Sequence, residues 1–359
     1  MTKPNGFRWS RPAHLAGVCV FLFFGLLAGL IAQRISLPLP FLFGGVISTM
    51  LIASVLQRSG KAWPFPEILR RSCVGVIGTL IGSAFSPALL GLLPGLTLSL
   101  LALLVYMPIA LWMGFVICRF VGGYDATTAF YASMPGGLID AVEIGSQSGG
   151  DTQTLALSHL FRILNVVMLV PLLFWVWSGG PVGSSAGQTL DQGPSGVLDV
   201  FWIAVITAVG LWIGIKIHLP AHHLMGPLII SAVAHGVGIL SVASPDVLLF
   251  AAQLVVGVGL ACQFTGKTGP GLLKIWFCMA LTVFGVLLLG AGLALLLDPV
   301  SPLSIEALFL SFAPGGVTEM GLIALSLSIS PVLVVAHHMC RIFLVVIIAA
   351  LASKRLSAK

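Results

Sequence analysis

Two constellations of reactive residues stand out in this chain of 359 residues. The first is Met134-Pro135-Gly136-Gly137 with Asp140 and Glu143, followed by His159 and Arg162; the second is Ala313-Pro314-Gly315-Gly316 with Glu319, followed by His338 and Arg341. On a helix, residues three apart share a face, so His159 with Arg162, and His338 with Arg341, each present an imidazole and a guanidinium to one side. A proline followed by two glycines removes a backbone donor and suppresses helix propensity, which predicts two half-helices joined by irregular backbone. The half-helix N-termini beyond Gly137 and Gly316 would offer free amides and a positive dipole end to an anion, and the arginines add charge of the same sign. Asp140 and Glu143, which share a helix face, and Glu319 are the expected partners of Arg162 and Arg341. Two readings stand side by side. In one, these carboxylates and arginines are structural ion pairs that pin the broken segments. In the other, Pro135, Gly136, Gly137, Asp140, Glu143, His159, Arg162, Pro314, Gly315, Gly316, Glu319, His338 and Arg341 form a substrate or ion site, with carboxylates and imidazoles able to carry protons if burial shifts them toward neutrality.

The elements that must position these residues lie in lipid. Of the chain, 58% is hydrophobic and 8% charged, against about 25% charged in a soluble globule. Runs such as Leu15 to Ile31 and Leu90 to Phe115 match the roughly 20 residues a helix needs to cross a bilayer. The alternation of a barrel strand is absent, so the expected fold is an all-α integral membrane protein. An arginine at the centre of a span costs about 2.5 to 3.5 kcal/mol on insertion scales, so it faces protein or water. Arg162 and Arg341 fall about 12 and 15 Å into their spans at 1.5 Å per residue, near mid-membrane.

The chain is also a duplication. The two Pro-Gly-Gly elements, His159 and His338, Arg162 and Arg341, Asp140 and Glu319, Phe130 and Phe309, Val166-Val167 and Val345-Val346, and Gly78 and Gly257 all pair at an offset of 179. Near the start of each half the offset becomes 182, aligning Leu37-Pro38 with Leu219-Pro220 and Leu42 and Gly44 with Leu224 and Gly226. A register held without gaps from proline through arginine is not coincidence. The polar stretch Ser178 to Gly196 reads as a flexible linker, dividing the chain into a first membrane repeat (1–177), the linker (178–196) and a second repeat (197–359).

Each half holds five strong apolar spans: near 14–33, 39–57, 72–86, 93–118 and 154–177, then near 198–215, 223–243, 247–264, 275–297 and 331–352. The interrupted segments are 124–149 and 303–327. If these also cross, there are twelve spans in parallel repeats, and Lys216, Lys267 and Lys274 fall outside. If they fold back, there are ten spans, those lysines move inside, and the linker, which has no Lys or Arg, moves outside. Arg58, Lys61, Arg70, Arg71, Arg119, Lys354 and Arg355 stay inside either way, and Arg34 dissents in both. Positive-inside bias favours ten helices, arranged as two five-helix inverted repeats, each with a re-entrant Pro-Gly-Gly segment. Both termini are then cytoplasmic.

The excess of basic residues, net +6, sits singly or in pairs at span ends and forms no basic face for nucleic acid. The cysteines Cys19, Cys73, Cys118, Cys262, Cys278 and Cys340 lack CxxC spacing and read as small apolar residues, with neither disulfide nor metal implied. His218, His222 and His223 have no ligand-type counterparts in the first half (Ser36, Pro40, Phe41), which argues against a metal there. Gly78 to Gly82 and Gly257-Val258-Gly259 read as close helix contacts and not as phosphate cradles. Lys3, Arg8 and Arg11 precede an apolar run as in a signal peptide, but without a convincing cleavage site an uncleaved first helix is expected. Walker, Rossmann, GxSxG and HExxH patterns are missing, and no cofactor is called for.

With these residues in hand, the chain resembles the AbrB-type inner-membrane proteins of Gram-negative bacteria, whose hallmark is a duplicated membrane unit. The resemblance covers almost the whole chain: the Leu37-Pro38, Leu42, Gly44 and Leu219-Pro220, Leu224, Gly226 patterns, the Pro-Gly-Gly segments with an acidic residue five after the proline, and the His-x-x-Arg helices. Such proteins are labelled ammonia monooxygenases or regulators of gene expression. The first label fits poorly, because a copper or iron enzyme needs a ligand cluster and these histidines sit beside arginines that repel a cation. Direct transcriptional control would need a DNA-binding surface, whereas an indirect effect through a metabolite is compatible. A looser architectural likeness is to citrate and glutamate symporters, with five-helix inverted repeats and a Gly-rich re-entrant loop. The expected function is secondary transport or export of a small anionic or zwitterionic metabolite across the inner membrane. The alternative is a membrane regulator working through a partner or a transported metabolite. The bilayer and a small molecule are the expected partners, and a homo-oligomer is compatible.

Overall fold

The computed structural model describes residues 12–57, 65–85, 93–136, 138–177, 196–219, 221–240, 242–243, 245–264, 271–327 and 329–356. Among these residues there are fourteen α-helices and no strand. The first seven are α1 (Pro12–Arg34), α2 (Pro40–Gln57), α3 (Glu67–Ser83), α4 (Leu93–Val116), α5 (Ala126–Ser133), α6 (Leu138–Gln147) and α7 (Thr152–Trp177). The next seven are α8 (Val197–Lys216), α9 (His222–Gly236), α10 (Asp246–Cys262), α11 (Leu272–Leu297), α12 (Ile305–Phe312), α13 (Val317–Ser326) and α14 (Pro331–Leu356). Local chemistry sets several starts. Asp125 Oδ1 accepts from the Thr128 amide at 2.9 Å to cap α5, and Ser304 Oγ accepts from the Ala307 amide at 3.3 Å to cap α12. Pro40 and Pro331 open α2 and α14, where a missing N–H costs nothing.

Helix order in the second half repeats that of the first. The bounds of α3, α5, α6 and α7 recur 179 residues later, at both ends, in α10, α12, α13 and α14. Packing is reciprocal: α3 lies on α9 as α2 lies on α10, α7 on α11 as α4 on α14, α7 on α13 as α6 on α14, and α3 meets α10 directly. These cross-half contacts are close enough to exclude side chains. A Cβ on Gly78 would strike the Leu224 carbonyl oxygen, and one on Gly257 would stand 2.5 Å from the Leu42 carbonyl oxygen. The glycine-rich stretches are therefore helix-crossing points, as their sequence suggests. The turns leading into α2 and α9 also match, with left-handed backbone at Ser36 (φ 56°) and Leu39 (φ 51°), and at His218 (φ 54°) and Ala221 (φ 49°). Non-glycine residues hold this conformation at a cost of about 1 to 2 kcal/mol each, so the surrounding packing must impose it.

Among the described residues, six helices are long and apolar enough to cross a membrane: Ala16–Arg34, Gly95–Val121, Thr152–Trp177, Val197–Lys216, Leu272–Val300 and Pro331–Ala349. Shorter apolar helices accompany them. Their outward faces carry large apolar side chains, among them Phe24, Trp112, Phe277, Phe284 and Phe343, which water would not tolerate as a continuous surface. The protein is membrane-embedded and all-helical. Two spans depart from expectation: α9 ends at Gly236 where a run to 243 was expected, and α3 begins at Glu67, five residues before the expected start at 72. Both differences arise where apolar composition and helical geometry part, since the 237–243 stretch is apolar yet turns at Gly238 with φ 72°. The linker through residue 195, Arg58, Lys61 and Lys267 lie outside the described residues.

Candidate functional site

Each Pro-Gly-Gly segment is broken as predicted, into α5 and α6 and into α12 and α13. A helix that stops leaves its last carbonyls without partners, and Pro135 and Pro314 bring no N–H to replace them. The Gly136 and Gly315 amides turn back to the Met134 and Ala313 carbonyls at 3.0 and 2.9 Å, and the two arginines add charged donors at the same breaks. Arg162 Nη1 donates to the Met134 carbonyl, and Arg341 donates from Nη1 to the Ala313 carbonyl and from Nη2 to the Gly315 carbonyl. Tyr106 adds a donor to the neighbouring Phe312 carbonyl at 2.5 Å. A guanidinium at a helix C-terminus also meets the negative end of the dipole. Arg162 and Arg341 are 4% and 1% exposed, so both charges are held inside the protein.

The imidazoles belong to the same architecture. His159 Nε2 meets the Tyr131 carbonyl at 3.1 Å, and since a carbonyl can only accept, this nitrogen carries the proton. His159 Nδ1 has no hydrogen-bond partner among the described residues. His338 Nδ1 donates to the Val334 carbonyl at 2.9 Å. Its neighbour His337 is satisfied on both sides, by the Leu333 carbonyl at 2.9 Å and Ser99 Oγ at 2.8 Å, and is a packing element.

Of the three carboxylates expected to pair with these arginines, Glu143 and Glu319 do not do so among the described residues. Among the described residues the ion pairs are Arg70 and Arg71 with Glu67, at 3.5 and 3.2 Å, and none involves Arg162 or Arg341. Glu143 is exposed and accepts from Gln147 Nε2 at 3.5 Å. The Glu319 carboxylate folds over the start of its own helix, occupying the space a side chain on Gly316 would fill and accepting from its own amide. This corrects the expectation of a free N-terminus at α13: an internal carboxylate already meets the positive end of that helix. Gly137 and the Asp140 side chain lie outside the described residues.

The two breaks meet around the second arginine. A Cβ placed on Gly136 would stand 3.7 Å from Arg341 Nε, so the first segment packs on the guanidinium that holds the second. Arg162 and Arg341 lie within electrostatic range of each other. Several buried nitrogens here have no protein partner among the described residues: Arg162 Nε, Arg341 Nε, His159 Nδ1, His338 Nε2 and Asn165 Nδ2. Asn165, 7% exposed, was missed by sequence reasoning. Its signal was present, as a polar residue one helical turn beyond Arg162 inside an apolar span, where the second half has Leu344. By contrast, His218, His222 and His223 stand at the start of α9, apart from this cluster, with the His222 and His223 rings 4.0 Å apart.

Comparison with known proteins agrees on the kind of chain. A family profile described as "Transition state regulatory protein AbrB" matches residues 41–357. The uncharacterized protein YhjN of Bacillus subtilis (strain 168) is 24% identical over 327 residues, covering 84% of each chain. The provisionally named regulator AbrB of Escherichia coli (strain K12) is 20% identical over 299 residues, covering 83% of this chain and 85% of its own.

Proposed function

This chain belongs to the AbrB family, and from the arrangement within it we propose that it is a secondary transporter or exporter of a small anionic or zwitterionic metabolite, bound between the two Pro-Gly-Gly segments. One observation carries this reading: two buried guanidinium groups, in electrostatic range of each other, have no carboxylate partner among the described residues. Like charges at membrane depth are costly unless something neutralises them. A bound anion supplies that neutralisation, and its oxygens would accept from Arg162 Nε, Arg341 Nε and Asn165 Nδ2. Irregular backbone in the membrane is tolerated where it is buried or lines a water-filled cavity, which suits the two breaks to a site that alternates between the two sides.

Flux into proteoliposomes tests this directly, using radiolabelled glutamate, succinate, citrate and inorganic phosphate, with and without a pH gradient. Wild-type protein is expected to move at least one of them, and Arg162→Ala to cut that flux by about tenfold or more, in line with the loss of one buried charge-assisted contact. Equal flux through wild-type and variant would remove the arginine from the site.

The same reading places the protein in the inner membrane with both termini cytoplasmic, as ten crossing helices and two re-entrant segments in inverted repeats. Ser184→Cys in the linker is expected to react with a membrane-impermeant maleimide from the periplasm. Reaction from the cytoplasm alone would return the topology to twelve spans. The regulatory role that the family description names would follow indirectly from the level of the transported metabolite. An ammonia monooxygenase reading is disfavoured, because His159 and His338 sit one turn from arginines that repel a metal cation.

A further inference from the structure

The places where the two halves differ are as informative as those where they agree. At one pair of equivalent positions the second half joins His337 to Ser99 by a 2.8 Å hydrogen bond. The corresponding residues, 179 away, are Ser158 and Cys278, and they belong to a cluster of different chemistry. Tyr124 and Ser158 share a hydrogen bond at 3.3 Å, and the Cys278 sulfur lies near Tyr124. Cys118 lies in the turn against which that sulfur packs, with the two thiols within interaction range. Cys118 lies in a π turn, Ile117–Val121, that ends α4, and Cys278 lies in α11 of the other half. The Cys278 thiol reaches the Ile117 carbonyl at 3.9 Å, and a Cβ on Gly122 would stand 3.0 Å from the Cys278 sulfur. In the second half the counterparts of Cys118 and Tyr124 are Leu297 and Leu303, and a 3-10 turn, Asp298–Val300, replaces the π turn.

We propose that Cys118 and Cys278 form an oxidation site, a dithiol that a peroxide converts to a disulfide joining the two halves. Cys278 is the attacking sulfur: Lys274 lies one helical turn before it on α11, with its ammonium 3.1 Å from where a Cβ on Gly123 would stand, beside the turn that the sulfur packs on. A small neutral oxidant needs no open channel to reach a buried thiol, and this pair lies close to the exposed Arg119, Gly123 and Lys274. Attack of the Cys278 sulfur on one peroxide oxygen breaks the O–O bond, leaves a sulfenic acid, and releases water once the thiol proton joins the departing hydroxide. The Cys118 sulfur then displaces the sulfenic hydroxyl, which leaves as a second water with the Cys118 proton. The balance is two thiols and one hydrogen peroxide to one disulfide and two waters. The sequence reading saw six separated cysteines and implied no disulfide; all described cysteines are free thiols here, and the fold is what brings these two together.

The test uses the full chain in native membranes. After hydrogen peroxide treatment the protein is denatured, alkylated and digested, and alkylation is counted against the six cysteines of the sequence. The expected result is loss of two alkylation sites, recovered by reductant, with a disulfide-linked peptide pair containing Cys118 and Cys278. Cys118→Ser is expected to stop at a sulfenic acid on Cys278 that dimedone traps, and Cys278→Ser to leave Cys118 alkylatable. The proposal is overturned if wild-type Cys118 and Cys278 remain alkylatable at peroxide doses that oxidise the exposed Cys19, or if the linked peptides map elsewhere. The wild-type measurement decides the matter even if a variant fails to fold, and it is independent of what the protein transports.

Discussion

Replacing Arg341 with alanine is expected to abolish substrate flux, by about 100-fold or more, and to destabilise the protein by a few kcal/mol. The guanidinium serves three neighbours at once: the carbonyls of Ala313 and Gly315, and the backbone of Gly136 across the interface between halves. Removing it leaves the buried Gly315 carbonyl unpaired, at about 1 to 3 kcal/mol, and takes a second donor from the Ala313 carbonyl, which keeps the Gly315 amide at 2.9 Å and loses less. Deleting a buried charge recovers some desolvation energy, so the loss of stability is expected to stay below the sum of those terms. Flux has no such offset, because the positive charge that would hold the anion is gone. Arg341→Lys should restore part of the stability but little flux, since an ammonium cannot span two carbonyls with a planar fork. Thermal unfolding in detergent and anion flux, measured on the same preparations, separate the two effects. Arg162, which holds one carbonyl, is expected to be the milder position for stability.

The second large effect is steric. Gly257→Val is expected to prevent accumulation of folded protein, and Gly257→Ala to cost about 3 kcal/mol, at the upper end of overpacking penalties. The obstruction at Gly257 is the Leu42 carbonyl oxygen at 2.5 Å, a backbone atom that cannot rotate away, and α2 would have to lift from α10. Gly78, which faces the Leu224 carbonyl in the equivalent contact, should respond alike. Gly292→Ala is the control, because nothing lies within 4 Å of its Cβ, and it is expected to be neutral or mildly stabilising. Fluorescence-detected gel filtration of tagged variants reads all three. Equal behaviour of Gly257→Ala and Gly292→Ala would show that the two halves do not pack as described.

Much of this fold is legible in the sequence because lipid imposes few choices. A run such as that of α11 can only be a helix, and Pro-Gly-Gly in the middle of one can only break it. The offset of 179 was legible for the same reason that the helix bounds obey it. The partners of the arginines were not legible. Pairing a guanidinium with a carboxylate is the usual expectation, but a broken helix creates strong acceptors that a linear reading does not count, and Met134, Ala313 and Gly315 supply them. Glu319 was misassigned for a related reason, since a carboxylate three residues into a helix is satisfied by that helix before any arginine reaches it. Asn165 and the Cys118–Cys278 contact needed the third dimension. One is a single polar residue in an apolar run, and the other joins residues on α4 and α11 that only the packing of the halves brings together.

The exchange of neighbours between halves bears on how such a protein could arise and how it is made. Beside the glycine crossings each half makes within itself, as at Gly29 with Gly44 and Gly210 with Gly226, α3 rests on α9 and α10 on α2, so each half also completes crossings of the other, at Gly78 on Leu224 and Gly257 on Leu42. An ancestor encoding one half would have needed a second copy of itself, so the gene fusion that produced this chain joined partners that already depended on each other. The same dependence acts during synthesis. The first seven helices leave the ribosome with Gly78 and Gly82 uncovered, and these wait in the bilayer until α9 arrives to close them.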